Sequence, residues 1–147
     1  MLKENRKTDI LYLINYLHKL IDQDLDKRLS EHGLTSQQGR ILFFVNGKTR
    51  CEGMEVHQND IENDYHLSKS TVSRLVKRME KKGLITIEKQ HPYAIIKPAE
   101  KGLDIIRHLS KHRDEAINNL TKGFDEKNKD QIIQSLIKLI ENMEGGR

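Results

Sequence analysis

The chain of 147 residues contains one cysteine, two prolines, no tryptophan and only 5% aromatic residues. The single Cys51 excludes an internal disulfide and a cysteine-based zinc site, which fits a reducing compartment. Lys, Asp and Gln interrupt the apolar positions of the N-terminal region throughout, so we expect neither a signal peptide nor a membrane span. The sequence therefore predicts a cytoplasmic protein with no membrane partner.

Motifs of catalytic chemistry are also missing from the sequence. It has no glycine-rich phosphate loop, no nucleophile elbow and no convincing acid/base pair. We therefore predict no catalytic residue, no cofactor and no enzyme activity. What the chain does have is 33% charged and 35% hydrophobic residues, mostly aliphatic, which is typical of a single helix-rich domain of this length.

The positive charge is concentrated in one segment. The whole chain carries a net charge of +4, but residues 68–101 contain nine Lys or Arg against three Glu, a local excess of six. The rest of the chain is therefore slightly acidic. A localised basic segment indicates a nucleic-acid partner more strongly than the total charge does.

Hydrophobic spacing and capping residues predict a mainly helical order of elements. The first helix spans residues 8–32 with Thr8 as its N-cap, and Gly33 ends it. A second helix opens at Thr35 and ends at Asn46-Gly47, followed by a loop over 47–54. The remaining predicted elements are a short helix at 57–65, a helix at 69–82 capped by Ser68, strands at 85–88 and 93–96, a long helix from Pro98 to an interruption at Gly123, and a final helix.

The predicted helix at 69–82 has two contrasting faces. At about 100° per residue, its apolar residues share one sector, namely Val72, Leu75, Val76 and Met79. Its polar and basic residues lie opposite or beside that sector, namely Ser70, Ser73, Arg74, Lys77, Arg78 and Lys81. An ordinary solvated face remains one interpretation. The context favours DNA, because short polar residues come first, where base edges would lie, and longer cations follow.

A short helix, a turn, this second helix and a basic hairpin are the order of a helix-turn-helix with a wing. The sequence here resembles the MarR family of winged-helix transcription regulators. The resemblance is carried by Leu34-Thr35 with Gln38, by residues 67–85 and by Glu100-Lys101-Gly102. It implies a sequence-specific regulator whose helix at 69–82 lies in the major groove of double-stranded DNA.

Carried onto matching positions, the resemblance implies a set of DNA-binding residues. The wing lacks the family's Asp-x-Arg element, so only Lys89 and His91 are candidates within it. The full set is Ser68, Lys69, Ser70, Thr71, Ser73, Arg74, Lys77, Arg78, Lys81, Lys89 and His91.

The resemblance also implies a homodimer. Its dimerisation helices would be residues 8–32 and 103–147, and its DNA-binding lobe residues 34–98, within one domain. We expect a repressor of a pseudo-palindromic operator, released by a small-molecule effector in the cleft between lobe and dimer helices.

Three alternatives remain open at this point. His108 and His112 are four residues apart on one helix and could bind a metal together with Asp22, Asp24, Asp26 or His32, although two exposed histidines without a metal is the preferred interpretation. Cys51 could sense oxidants, although an incidental thiol is preferred. The shortened wing also permits a protein-interaction module that has lost DNA binding.

Overall fold

The computed structural model describes residues 2–90 and 92–146. It is mainly helical with one small antiparallel hairpin, which confirms the predicted fold class. The elements are a 3₁₀ turn at Glu4–Arg6, α1 (Ile10–Glu31), α2 (Ser36–Asn46), a π-helical turn at Gly47–Cys51, α3 (Gln58–Tyr65), α4 (Lys69–Lys81), β1 (Ile85–Glu88), β2 (Ile95–Pro98), α5 (Glu100–Leu120) and α6 (Glu126–Gly145). They form two compact units, Met1–His108 and Leu109–Arg147.

The N-terminal end of α1 corrects one capping assignment. Asp9, not Thr8, is the N-cap, because its carboxylate accepts the backbone N–H of Tyr12 at 3.0 Å. That hydrogen bond, with the guanidinium of Arg6 beside it, holds the pKa of the Asp9 carboxyl below its usual value. At the other end Gly33, with φ +73°, ends the helix as predicted.

The segment after α2 is helical and not the loop that the sequence predicts. Gly47 keeps right-handed helical angles, so it continues the chain direction rather than stopping it. The backbone then closes a wider π turn, in which the N–H of Glu52 donates to the carbonyl of Gly47 at 3.1 Å. An ion pair between Lys48 and Glu52 at 3.0 Å supports the turn. The chain reverses only at Gly53, which has φ +66°.

The core of the first unit lies between the helices and the hairpin. The buried residues of α4 are the four apolar residues predicted from its spacing, Val72, Leu75, Val76 and Met79. Other fully buried side chains of this unit include Ile41 of α2, Ile61 of α3 and Leu84 before β1. This core makes α2, α3 and α4 one packed body, so the outer face of α4 has a fixed setting.

The second strand of the hairpin and the start of α5 lie two residues later than predicted. Ile96 pairs with Ile87 of β1 on one side, and on the other side its N–H donates to the carbonyl of Val56 at 2.8 Å. This second pairing centres the strand on Ile96, which leaves Tyr93 exposed and outside it. Pro98 still pairs with Ile85, so α5 begins at Glu100 and not at Pro98.

The second unit contains the end of α5 and all of α6. Gly123, with φ +88°, separates the two helices, and Asp125 caps α6 by accepting the N–H of Asn128 at 2.8 Å. The described residues of α6 include no buried side chain, and its exposed aliphatic residues are Ile132, Ile133, Leu136, Ile137, Leu139 and Ile140. Among residues 2–90 and 92–146, no helix is both long and apolar enough to cross a membrane.

Candidate nucleic-acid interface

The turn between α3 and α4 is built from local hydrogen bonds and one unusual backbone angle. His66 ends α3 with φ +53°, and the N–H of Leu67 donates to the carbonyl of Glu62 at 3.1 Å. The amide of Gln58, in the first turn of α3, donates to the backbone carbonyl of Lys69 at 3.2 Å. These contacts fix the angle between the two helices of a helix-turn-helix.

The first helix of this pair is also anchored to α2. The Tyr65 hydroxyl donates to the carbonyl of Arg40 at 2.9 Å, and its ring meets Phe44 edge to face with centroids 5.8 Å apart. Burial raises the pKa of the Tyr65 hydroxyl above its ordinary value. The helix-turn-helix is therefore attached to α2, which precedes it in the chain.

The N-terminal end of α4 uses two of the predicted site residues for its own structure. Ser68 caps the helix, since its hydroxyl accepts the N–H of Thr71 at 3.2 Å. The Ser68 hydroxyl also donates to the Thr71 hydroxyl at 2.8 Å and lies 3.3 Å from that of Ser70. Ser68 and Thr71 thus hold the helix end, while Ser70 lies beside them on the exposed surface.

The face of α4 opposite the core is polar and basic, as the helical spacing indicates. Ser73 is only partly exposed and lies at its margin. The exposed polar and basic side chains on or beside this face are Lys69, Ser70, Arg74, Lys77, Arg78 and Lys81, and Glu80 is exposed on the same helix. We call the five cations of this set, Lys69, Arg74, Lys77, Arg78 and Lys81, the α4 basic face.

The cations of the α4 basic face have no ion-pair partner among the described residues. Across the two described stretches of chain, no carboxylate oxygen lies within 4.0 Å of any of its five charged groups. Some basic residues elsewhere do have such partners, for example Lys97 with Glu88 at 3.2 Å and Arg40 with Asp22 at 3.3 Å. Uncompensated cations on one rigid helix face create a positive potential that attracts a polyanion.

A depression of about 280 Å³ lies beside the α4 basic face. One of its lining residues, Gln37, was not predicted as a site residue from the sequence. The depression is lined by Gln37, Thr71, Arg74, Leu75 and Arg78. Gln37 is exposed in the first turn of α2. Its position next to the two arginines results from the packing of α2 against α4, which no local sequence signal reveals.

The wing contributes little free charge in the part that the structure describes. Lys89 is exposed, whereas His91 lies outside the described residues. At the base of the wing the ring Nδ1 of His57 is 3.0 Å from the carbonyl oxygen of Ala94. This contact, together with the pairing of Val56 and Ile96, attaches the hairpin to the N-terminal end of α3.

The carboxylates considered as metal ligands have other partners. Asp22 pairs with Arg40, Asp24 pairs with Arg28 at 2.9 Å, and Asp26 accepts the hydroxyl of Ser36 at 2.7 Å. Within residues 2–90 and 92–146, no group of three or more His, Cys, Asp or Glu is placed to hold a metal.

The histidines of this hypothesis lie near groups of their own helix or of the end of α1. The Nδ1 of His108 lies 2.9 Å from the carbonyl oxygen of Asp104, and its ring is 5.9 Å from that of His32. In the second unit, His112 lies 3.7 Å from Glu115. Cys51 is an exposed free thiol at the end of the π turn.

Comparison with known proteins agrees with this geometry. Solved structures with the same fold include the transcriptional regulator SlyA (22% identity, TM-score 0.72, 95% of this chain and 96% of that chain). They also include a MepR–DNA complex from Staphylococcus aureus (21% identity, TM-score 0.71, 96% of this chain and 99% of that chain). A third is a MarR protein from Peptoclostridium difficile (18% identity, TM-score 0.73, 99% of this chain and 94% of that chain).

The family comparison concerns the segment that contains the helix-turn-helix. Among curated protein sequences, none matches this chain. Residues 32–91, which span α2 to β1, match the family model described as MarR family. The segment that carries the α4 basic face is therefore the part of this chain that is similar to the MarR family.

Proposed function

We propose that this protein is a sequence-specific DNA-binding regulator that reads DNA with α4. The observation that carries the proposal is the α4 basic face, five exposed cations without carboxylate partners in the described chain, mounted on a packed helix-turn-helix. Structural neighbours support it, since MepR has been solved as a complex with DNA. The comparisons give no support to an enzyme, because the similar solved structures include the transcription regulators SlyA and MepR.

The order of side chains along α4 assigns their roles. The short Ser70 and Ser73 lie near the N-terminal end, which in helix-turn-helix proteins comes closest to base edges. Arg74 lies one helical turn after Ser70, and the N–H donors of its guanidinium group suit the O6 and N7 acceptors of guanine. Lys77, Arg78 and Lys81 would contact phosphates as the helix leaves the groove. Gln37 and Lys89 are further candidates at the edges of this surface.

We propose further that two chains act together as a homodimer. α1 exposes Ile10, Leu11, Ile14, Leu17, Leu20 and Ile21, and α6 exposes a comparable aliphatic set. Such surfaces are typical of subunit interfaces. Two reading helices would bind two half-sites of a pseudo-palindromic operator. Following the family, the regulator would be a repressor, and a small molecule with higher affinity for a non-binding arrangement of the dimer would release it.

A charge-matched pair of variants tests the DNA-binding face. One variant carries Arg74→Ala and Lys77→Ala, and the control carries Lys122→Ala and Lys127→Ala, which removes the same charge from exposed positions in the second unit. Duplexes would be selected from genomic fragments by the wild-type chain, and binding followed by fluorescence anisotropy. We expect the first variant to lose binding and the control to retain it. Equal losses would mean that net charge, and not this face, holds the DNA.

The dimer and the effector need separate measurements. Sedimentation of the full chain should give twice the monomer mass at the concentrations used for binding. A library of small metabolites and drugs would then be screened for release of the selected duplex, with a scrambled duplex as the control. A monomer that binds the selected duplex with full affinity would contradict the two-half-site arrangement.

A further inference from the structure

Lys82 lies next to Lys81 in the same basic run, yet its ammonium group has inward partners. Lys82 Nζ donates to the carbonyl of Gly33 and to the side-chain oxygen of Gln38, both at 3.1 Å. The Gln38 side chain is 5% exposed, and the same oxygen accepts the N–H of Thr35 at 3.2 Å. One amide oxygen therefore receives both a backbone N–H and the ammonium group.

These partners belong to the junction between α1 and α2. Gly33 ends α1 in a left-handed conformation, and Thr35 with Gln38 forms the capping box that opens α2. The side chain of Lys82 thus connects the C-terminal end of α4 to the point at which α1 gives way to α2. At the other end of α4, Gln58 binds the carbonyl of Lys69. Among the described residues, side-chain hydrogen bonds thus tether α4 near both ends, through Gln58 and through Lys82.

The tether is separate from the bonds that end the helix. Backbone bonds close the C-terminal end of α4, from Gly83 N–H to Glu80 O at 2.9 Å and from Leu84 N–H to Met79 O at 3.0 Å. They involve no side chain of Lys82, so α4 can form without this ammonium group. What the ammonium group adds is a restraint on where the end of the helix lies relative to α1 and α2.

We propose that Lys82 is a positioning residue that sets the angle of α4 and thereby operator recognition, without contacting DNA. The proposal rests on the proposed function of α4 as the reading helix. With 13 residues, α4 is about 20 Å long, so a tilt of about 3° about its N-terminal tether moves its C-terminal end by about 1 Å and changes the direction of every side chain along it. A bidentate contact between an arginine and a base depends on that direction, whereas flexible lysines on phosphates adapt to the change.

The test compares two neighbouring lysines in the full-length chain. Lys82→Met and Lys81→Met keep most of the aliphatic stem and remove the ammonium group. Each variant would be titrated against a duplex selected by the wild-type chain and against its scrambled version, over a series of salt concentrations. Circular dichroism and thermal unfolding would check that both variants fold.

We expect the two variants to change affinity and its salt dependence in different ways. Lys82→Met should lower affinity for the selected duplex at least about fivefold, a loss of the order of one partly exposed charged hydrogen bond. Its affinity for the scrambled duplex should stay within about twofold, with an unchanged salt slope. Lys81→Met should weaken both duplexes alike and reduce the log-log salt slope by about 0.9 per subunit.

A double-mutant cycle checks that Lys82 acts through Gln38. Combining Lys82→Met with Gln38→Met should cost little more selected-duplex affinity than Gln38→Met alone, whereas Lys81→Met with Gln38→Met should be additive. Lys82→Arg, which can reach the same acceptors, should restore most of the discrimination.

The outcomes separate this proposal from the proposed function. Additive losses for Lys82 and Gln38, or a salt slope reduced by Lys82→Met, would make Lys82 a phosphate contact and overturn the positioning role alone. A Lys82→Met variant that discriminates as well as the wild type would also overturn it. A wild-type chain that does not discriminate between the two duplexes would overturn the proposed function, and this role with it.

Discussion

Replacing Arg74 and Lys81 one at a time should separate sequence reading from phosphate binding along α4. The two residues are seven positions apart, or about 10 Å along the helix axis, and both are exposed. Since neither charged group has a carboxylate partner among the described residues, truncation to alanine removes no internal ion pair. Any change in DNA binding would therefore report contacts with DNA rather than damage to the fold.

The expected magnitudes differ because the two contacts differ. Arg74→Ala should cost about 1 to 3 kcal/mol in affinity for the cognate duplex and blur preference at one or two base pairs per half-site. Lys81→Ala should weaken all DNA about equally. If Lys69, Lys77, Arg78 and Lys81 each contact a phosphate, a dimer makes eight such contacts, and the log-log salt slope is about −7. Lys81→Ala in both subunits should then lower its magnitude by about 2.

The assay is equilibrium titration of each variant against cognate and scrambled duplexes at several salt concentrations. The informative quantity is the ratio of the two affinities, since uniform losses cancel in it. If both variants lose cognate and scrambled binding in the same proportion, α4 does not read sequence in this orientation. A wild-type affinity that does not change between low and physiological salt would refute the phosphate contacts altogether.

Three further predictions concern assembly and stability. Deleting residues 126–147 should convert the dimer to a monomer in sedimentation, because the exposed aliphatic side chains of α6 are lost; a well-folded dimer of the shortened chain would place the interface elsewhere. Gly102→Ala should lower the unfolding temperature, since a Cβ there would overlap the Leu84 carbonyl oxygen, whereas Gly47→Ala, with open space around it, should not. Burial raises the pKa of Tyr65, so its hydroxyl ionises more readily in the unfolded state and the free energy of unfolding should fall as pH rises above about 10. In alkaline unfolding curves Tyr65→Phe should reduce that fall. At neutral pH the same variant should lose about 1 kcal/mol of stability, because the hydrogen bond to the Arg40 carbonyl is removed.

The parts of the fold that follow from local chemistry were predictable from the sequence. The four buried residues of α4 follow from their helical spacing, and its cap at Ser68 follows from the residue type. The capping box of Thr35 and Gln38 and the glycine that ends α1 are equally local. In each case the atoms that decide the conformation lie within one turn of one another.

The predicted element boundaries were wrong where distant contacts or backbone angles determine the structure. An apolar pair at Ile95 and Ile96 marks a strand, but only the pairing of Ile96 with Val56 shows where the strand is centred. At Gly47 a glycine that normally stops a helix takes helical angles and allows a π turn instead. Thr8 and Asp9 are both good capping residues, and the choice between them depends on which carboxylate or hydroxyl reaches the first turn.

In the candidate site, too, some features follow from local sequence and others depend on distant contacts. Lys81 and Lys82 are the most direct example. In the sequence they are identical neighbours in a basic run, and only Lys81 belongs to the predicted DNA-binding set. In the structure Lys82 Nζ reaches back to Gly33 and Gln38, whereas Lys81 has no carboxylate within 4.0 Å in the described chain. Helical spacing alone separates the two by about 100° around the axis, but it cannot show that one direction contains two oxygen acceptors. A count of basic residues therefore overestimates the charge available to DNA, because a cation with internal acceptors stabilises the fold and releases fewer counterions on binding.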